Sequence, residues 1–306
     1  MRLASRMERI GTETAFEAAA RARALEATGR EVIHLEIGEP DFDTPRHVSE
    51  AAARALLDDG ATHYTAATGI LPLREAIVAD VRRWKGIETT PEQVVVTPGA
   101  KPIMFYAMLA LIDDGDEVIY PNPGFPIYES MARYVGGVPV AAPLREANDF
   151  RMDVDEVASL ITDRTRLLVI NSVSCTNAFA QYGAVAALTG PQDDADAYRA
   201  EFIARRSLMV DGLNAIPGVS CAMPHGAFYA FPNVTSFGCS SAQIADHLLY
   251  DAGVCGLAGT AFGSLGEGYL RFSYANSREN LALALERVAE SLAKLERTGE
   301  PVRAAS

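Results

Sequence analysis

The chain has 306 residues, 49% hydrophobic and 22% charged, an apolar share typical of folded globular proteins and far from the disordered range. It carries 40 acidic and 27 basic residues, for a formal net charge of -13. A field of that sign repels nucleic acid and anionic membranes, so neither is an expected partner. The length suggests about two domains. Four cysteines (Cys175, Cys221, Cys239 and Cys255) show no C-x-x-C spacing; they read as reduced, with no disulfide framework and no metal site. The first ten residues are charged without an apolar core, and the apolar stretch from Ile103 to Ile112 is too short to span a bilayer, so the expected location is cytoplasmic.

In chain order, a helix is expected over Glu13–Ala27, stopped by Gly29, then a strand over Val32–Ile37. Pro45 opens a helix to Leu57, with Thr44 as its cap, and another helix covers Leu73–Trp84. From there short β-branched runs alternate with helical ones. Strands are expected at Val94–Thr97, Glu117–Tyr120, Val138–Ala142 and Leu167–Ile170, and helices at Ile103–Leu111, Pro126–Tyr134 and Val154–Ile161. This alternation means βαβ units and a parallel sheet with helices on its faces. The second half reads differently. A long helix, Asp194–Leu213, precedes short strands at Val219–Ala222, Ala227–Phe231 and Tyr269–Tyr274. An amphipathic helix follows over Glu279–Leu295, with Asn276 and Glu279 spaced as a capping box. The expected fold class is therefore α/β: a three-layer, mainly parallel domain followed by a smaller α+β domain.

Two local signals carry chemistry. Thr97-Pro98-Gly99-Ala100-Lys101 joins an expected strand to an expected helix. Helix-start N–H groups and the positive end of the helix dipole would make it a phosphate cradle; an ordinary strand-to-helix turn explains it equally well. Arg271 sits inside the apolar run Tyr269–Tyr274 and needs a carboxylate or phosphate partner, either a ligand or a structural ion pair. Asp113–Glu117 is a solvated turn lacking the spaced ligands of a calcium loop. His34, His47, His63, His225 and His247 form no metal spacing.

Six segments, in order, resemble the pyridoxal phosphate-dependent aminotransferases of fold type I, the aspartate aminotransferase-like group. They are Leu35–Phe42, Tyr64–Gly69 with Pro72–Ile77, Val95–Lys101, Asp114–Phe125, His225–Tyr229 and Tyr269–Ser277. The resemblance implies amino-group transfer between an amino acid and a 2-oxo acid, with pyridoxal 5'-phosphate as cofactor and a homodimer as the assembly. It implies that Gly99, Ala100 and Lys101 hold the cofactor phosphate and that Tyr64 reaches the phosphate of the neighbouring subunit. Phe125 would stack on the pyridine ring, and Gly38 and Arg271 would bind the substrate carboxylate. It also implies an arm with part of the small domain at 1–44, a truncated large domain at 45–214 and a small domain at 215–306.

The resemblance breaks after Leu167–Ser172. The family's N-P-x-G segment, its D-x-x-Y pair, its Schiff-base lysine and its phosphate-gripping arginine have no counterpart, and the chain passes directly to Val173–Gly183. Only Lys85, Lys101 and Lys294 are present. Lys101 falls at the phosphate end of the cofactor, and none is placed to hold its aldehyde. No catalytic residue is assigned. The expectation is an internal deletion at Asn171-Ser172, or a gene-model error, leaving catalysis impaired and cofactor binding weak and non-covalent. The alternatives are a non-catalytic dimerising or ligand-binding remnant and a non-functional deletion product. In the family the strands at Val94–Thr97 and Leu167–Ile170 are separated by three others. At about 4.8 Å per step, a gap of roughly 19 Å must close by pairing the two runs, or remain as a poorly packed interior.

Overall fold

A computed structural model describes residues 3–10, 14–170 and 178–295. The chain divides into two compact units, one formed by 1–41, 111–170 and 200–306, the other by 42–110 and 171–199.

The first unit holds all the β-ladders of the described residues. Strands β1 (Ile33–His34), β2 (Glu117–Asn122), β3 (Val138–Pro143) and β4 (Thr165–Leu168) are followed by β5 (Tyr229–Ala230), β6 (Val254–Cys255), β7 (Leu257–Ala258) and β8 (Leu270–Ser273). β2 is central in a parallel sheet of order β3-β2-β4. Val118 and Ile119 of β2 are fully buried, as a strand covered on both faces requires. β5, β8 and β7 form an antiparallel sheet with β8 in the middle. β1 pairs in parallel with β6, Ile33 opposite Val254, so an early segment joins a late one.

The helices of this unit are α1 (Thr14–Glu26), α5 (Ile127–Tyr134), α6 (Val154–Ser159), α9 (Ser241–His247), α10 (Arg278–Leu292) and most of α8 (Asp193–Asn214). Leu270 and Phe272 of β8, Met209 and Leu213 of α8, and Leu281 and Val288 of α10 share one apolar cluster. Apolar positions three and four residues apart on α10 give it the stripe that enters this cluster. Ser277 caps α10, its hydroxyl accepting from Asn280 N–H at 3.2 Å. The expected cap, Asn276, instead donates from its amide to the His34 carbonyl at 3.2 Å.

The second unit is helical among its described residues: α2 (Arg46–Leu57), α3 (Leu71–Lys85), α4 (Ala100–Leu111) and α7 (Ala178–Thr189). α2 and α7 pack through small residues. A Cβ on Gly183 would lie 3.3 Å from both the Ala52 Cβ and the Val48 carbonyl oxygen. Gln181 reaches from α7 to accept the Ile70 N–H at 3.0 Å. α2 begins after Pro45 with no side-chain cap, so Thr44 does not serve as one.

Two expectations about the sheet are corrected. Val94–Thr97 forms no ladder among the described residues; the Val96 N–H bonds instead to the Thr68 carbonyl at 3.0 Å. β-branched side chains favour a strand, but a strand needs a partner to take its backbone groups. The pairing of Val94–Thr97 with Leu167–Ile170 is therefore not formed. β4 pairs with β2 on one side and is the edge of the sheet on the other. Leu168 is 38% and Ile170 75% exposed there. The largest sheet among the described residues has three strands. Val219–Ala222 shrinks to a single bridge, Ser220 to Asn233.

Candidate active site

Alternation along β8 decides where Arg271 goes. Leu270 and Phe272 enter the apolar cluster, which turns Arg271 to the opposite face of the sheet. There it lines a cavity of about 660 Å³ in the first unit, together with Glu36, Gly38, Phe125, Tyr229 and Phe262. The Arg271 guanidinium carbon is 4.3 Å from the Tyr229 ring centroid and 4.8 Å from that of Phe262. Its Nη2 donates to the Glu36 carbonyl, and its Nε is buried with no hydrogen-bond partner. Burial pulls the Arg271 pKa below its ordinary value, only partly offset by Tyr229 and Glu36; a guanidinium nonetheless stays protonated. Among the described residues no carboxylate lies within ion-pair distance of it. The side chain is a partly buried cation that lines the cavity, and its unpartnered Nε is closed off from solvent.

Gly38 follows β1 and is a glycine for a steric reason. A Cβ there would sit 1.7 Å from the Tyr229 hydroxyl oxygen. Its neighbour Glu36 is fully buried. Glu36 Oε1 lies 2.7 Å from His34 Nδ1, whose other ring nitrogen is 3.1 Å from Glu26 Oε1, while Glu36 Oε2 has no partner. Burial lowers the His34 pKa, but the hydrogen bonds and charges of Glu36 and Glu26 outweigh it, so the net shift is upward. Burial and the adjacent Glu36 push the Cys255 thiol up.

Phe125 is set by the turn between β2 and α5. The Gly124 N–H donates to the Phe262 carbonyl at 2.6 Å, and the Phe125 ring meets Tyr128 edge-on at 5.9 Å. Gly38, Phe125 and Arg271 are thus brought together around one cavity. Gly99, Ala100, Lys101 and Tyr64 belong to the second unit. Gly99 has φ +97°, a left-handed conformation that favours glycine, and α4 begins immediately after it. The Thr97 hydroxyl donates to the Gly99 carbonyl at 2.8 Å. The first-turn N–H groups of α4 lack intrahelical acceptors, as in any helix. Pro102 has no N–H to leave unsatisfied. Tyr64 is fully exposed.

Sequence reasoning missed the surroundings of Arg271. Glu36 lies beside Gly38 in the chain, and Tyr229 ends the segment His225–Tyr229, so both were within reach. Phe262 carries no local signal. Its role depends on a loop that returns to β8.

The fit to a pyridoxal cofactor can be tested residue by residue. An aromatic face (Phe125) and a guanidinium (Arg271) are present. The amine is not: none of the three lysines lines the cavity. Lys294 Nζ is paired with Asp251 at 2.6 Å near the end of α10. Lys85 ends α3 and Lys101 opens α4, both exposed. These residues do not fit a covalently held cofactor.

The sequence matches the family described as aminotransferase class I and II over residues 30–176 and again over 174–288. It is 32% identical over 356 residues to an aspartate aminotransferase of Pyrococcus horikoshii, covering 86% of this chain and 91% of the relative. It is 29% identical over 393 residues to a probable aspartate/prephenate aminotransferase of Aquifex aeolicus, covering 96% and 99%. Among solved structures, an alanine aminotransferase from Pyrococcus furiosus aligns with a TM-score of 0.89 at 25% identity, over 96% of this chain and 100% of that one. An aspartate aminotransferase from Rhizobium meliloti aligns at 0.89 with 29% identity, over 97% and 100%. The chain belongs to the class I and II aminotransferases, the pyridoxal phosphate-dependent family of fold type I.

Proposed function

We propose that this chain is an aminotransferase-family protein that has lost transamination through an internal deletion at Asn171-Ser172 and keeps a carboxylate-binding cavity. The observation that carries the reading is the absence of any lysine from the cavity that holds Gly38, Phe125 and Arg271. Family chemistry needs one amine to hold the cofactor aldehyde and move a proton at the substrate carbon. Two features of the comparisons support the deletion. The family match comes in two pieces that meet at 174–176. An alignment of 393 positions that takes in 96% of 306 residues leaves about a hundred positions with no residue of this chain.

In this reading Arg271 grips a carboxylate and Gly38 leaves room beside it. Phe125 offers an aromatic face, and Gly99, Ala100 and Lys101 give a phosphate-binding helix start. Any cofactor binding is weak and non-covalent. The relatives are named for aspartate, alanine and aromatic amino acids, which supports amino acids and 2-oxo acids as the ancestral ligand class and no single member of it. Tyr64, fully exposed, is the residue proposed to reach a second copy in a homodimer. No helix among the described residues is long and apolar enough to cross a membrane, and a cytoplasmic location belongs to the same reading.

The test is a transamination assay on the full chain with added pyridoxal phosphate, a panel of amino acids and 2-oxoglutarate. No turnover above a protein-free control is expected; catalytic turnover that scales with protein would overturn the reading. A second reading, a deletion product without function, is favoured by the apolar side chains exposed on α4 (Ile103, Tyr106 and Leu109) and beyond β4 (Ile170). Size-exclusion chromatography separates the two, a discrete dimer supporting the first and a heterogeneous aggregate the second.

A further inference from the structure

We infer that His34 is a proton-operated clasp: the imidazolium fastens the end of α1 to the segment that carries Glu36 and Gly38, and the neutral ring lets α1 go. The inference is independent of what the cavity binds. His34 stands between two carboxylates. Its Nδ1 is 2.7 Å from Glu36 Oε1 and its Nε2 is 3.1 Å from Glu26 Oε1. An ionised carboxylate only accepts hydrogen bonds, and a neutral imidazole has one N–H to give. The ring satisfies both carboxylates only when both its nitrogens are protonated.

The two carboxylates are unequal, which decides the contact given up. Glu36 is fully buried and its Oε2 has no hydrogen-bond partner. It cannot turn to water, so it keeps the remaining N–H. The Glu26 side chain is 41% exposed and sits in the last turn of α1, where the helix dipole disfavours a negative charge. With the proton gone it turns to solvent. Neither of the other neighbours competes for that proton. Cys255 lies opposite His34 in the β1–β6 register, and burial and Glu36 push its thiol pKa up, which keeps it neutral. Asn276, just before α10, meets the His34 carbonyl with an uncharged amide.

The middle of α1 is held by other means: Ala19 and Ala22 are buried, and Arg21 pairs with Asp246. Its first turn, at Thr14, Ala15 and Phe16, lines the cavity around Arg271. Opening the clasp leaves α1 on its central hold with both end turns loosened, so the proton on His34 sets how firmly one wall of the cavity is held. Burial lowers the His34 pKa, and the bonds and charges of Glu36 and Glu26 raise it by more, so the clasp opens above about pH 6.5.

The test is hydrogen exchange of the full chain, read by mass spectrometry at about pH 5.5 and about pH 8.5, on either side of the imidazole range. Rates are corrected for intrinsic exchange, and α10 serves as the internal reference. Protection of α1 relative to α10 is expected to be at least about tenfold lower at the higher pH. Glu26→Gln, whose amide can either accept from or donate to Nε2, should hold α1 equally at both pH values. Glu26→Ala should leave it loose at both. Glu26 is exposed, so neither change disturbs the core. Protection of α1 that does not change with pH in the unmodified chain overturns the clasp, as does a fall that persists in Glu26→Gln. A fall confined to the last turn overturns the link to the cavity wall.

Discussion

The two units differ in how they treat their apolar side chains. In the first, β8, α8 and α10 send Phe272, Leu213 and Leu281 into a shared interior and leave them all but inaccessible. In the second, α4 buries Ala100 and Met108 but leaves Tyr106 60%, Leu109 51% and Ile103 45% exposed. α4 is apolar nearly all round, a composition that suits a helix covered on every side. The difference shows where the chain is short of partners. The first unit keeps the sequence-to-sheet code intact, with alternate residues of β8 serving core and cavity. The second carries a helix whose sequence asks for more cover than its described surroundings supply. The edge of β4, just before the proposed join, shows the same deficit at Ile170.

That contrast can be broken by substitution, and the largest effect is expected in the first unit. Phe272→Ala should cost about 3–5 kcal/mol of unfolding free energy, as a fully buried aromatic does. Leu109→Ala on α4 should stay within about 0.5 kcal/mol. Urea unfolding of both variants measures the difference, and equal losses would erase the distinction between the units. A smaller effect is expected at Gly38. Its Ala variant drives a methyl group into the Tyr229 hydroxyl and should cost about 1–3 kcal/mol, as overpacking does. The double variant with Tyr229→Leu should recover part of that loss in melting temperature; no recovery would mean that Tyr229 is not the obstacle.

Two pH effects sharpen the account further. His34 has a pKa raised above its ordinary value by Glu36 and Glu26, in spite of burial. The stability it contributes is therefore present below about pH 6.5 and lost as pH rises through its folded value. Glu36→Gln should flatten that decline in a series of urea midpoints; an unchanged slope would remove His34 as its source. Glu201 is held down to about 2 by hydrogen bonds from Arg278 and Arg205. Its contribution is present above about pH 4.3 and lost as pH falls toward that value. Arg278→Met should move the Glu201 carboxyl titration, followed by NMR, upward. Titration still near pH 2 would show that Arg205 alone suffices.

Much of this was legible in the residues. The alternation from Glu117 to Leu168 marked a parallel sheet, and that sheet is present as β3-β2-β4. Arg271 inside an apolar strand marked a cation needing a partner, and it lines a cavity of about 660 Å³ with its Nε unbonded. Other features depended on partners that no local pattern records. Val94–Thr97 has strand-forming side chains but, among the described residues, no neighbouring strand to bond with. Helix α7 escaped notice because Ala178–Thr189 is apolar without a polar face, so its periodicity is faint. Strands of two residues, such as β6 and β7, are created by pairing with distant segments and cannot be read from their own composition. Phe262 reaches Arg271 for the same non-local reason.

The central claim, that the family's covalent anchor is gone, is tested most directly by trapping. The full chain is incubated with pyridoxal phosphate, reduced with borohydride and analysed by intact mass and peptide mapping. The account predicts no stoichiometric adduct on Lys85, Lys101 or Lys294. One equivalent of coenzyme fixed to a single one of these lysines, displaced by added amino acid before reduction, would contradict it.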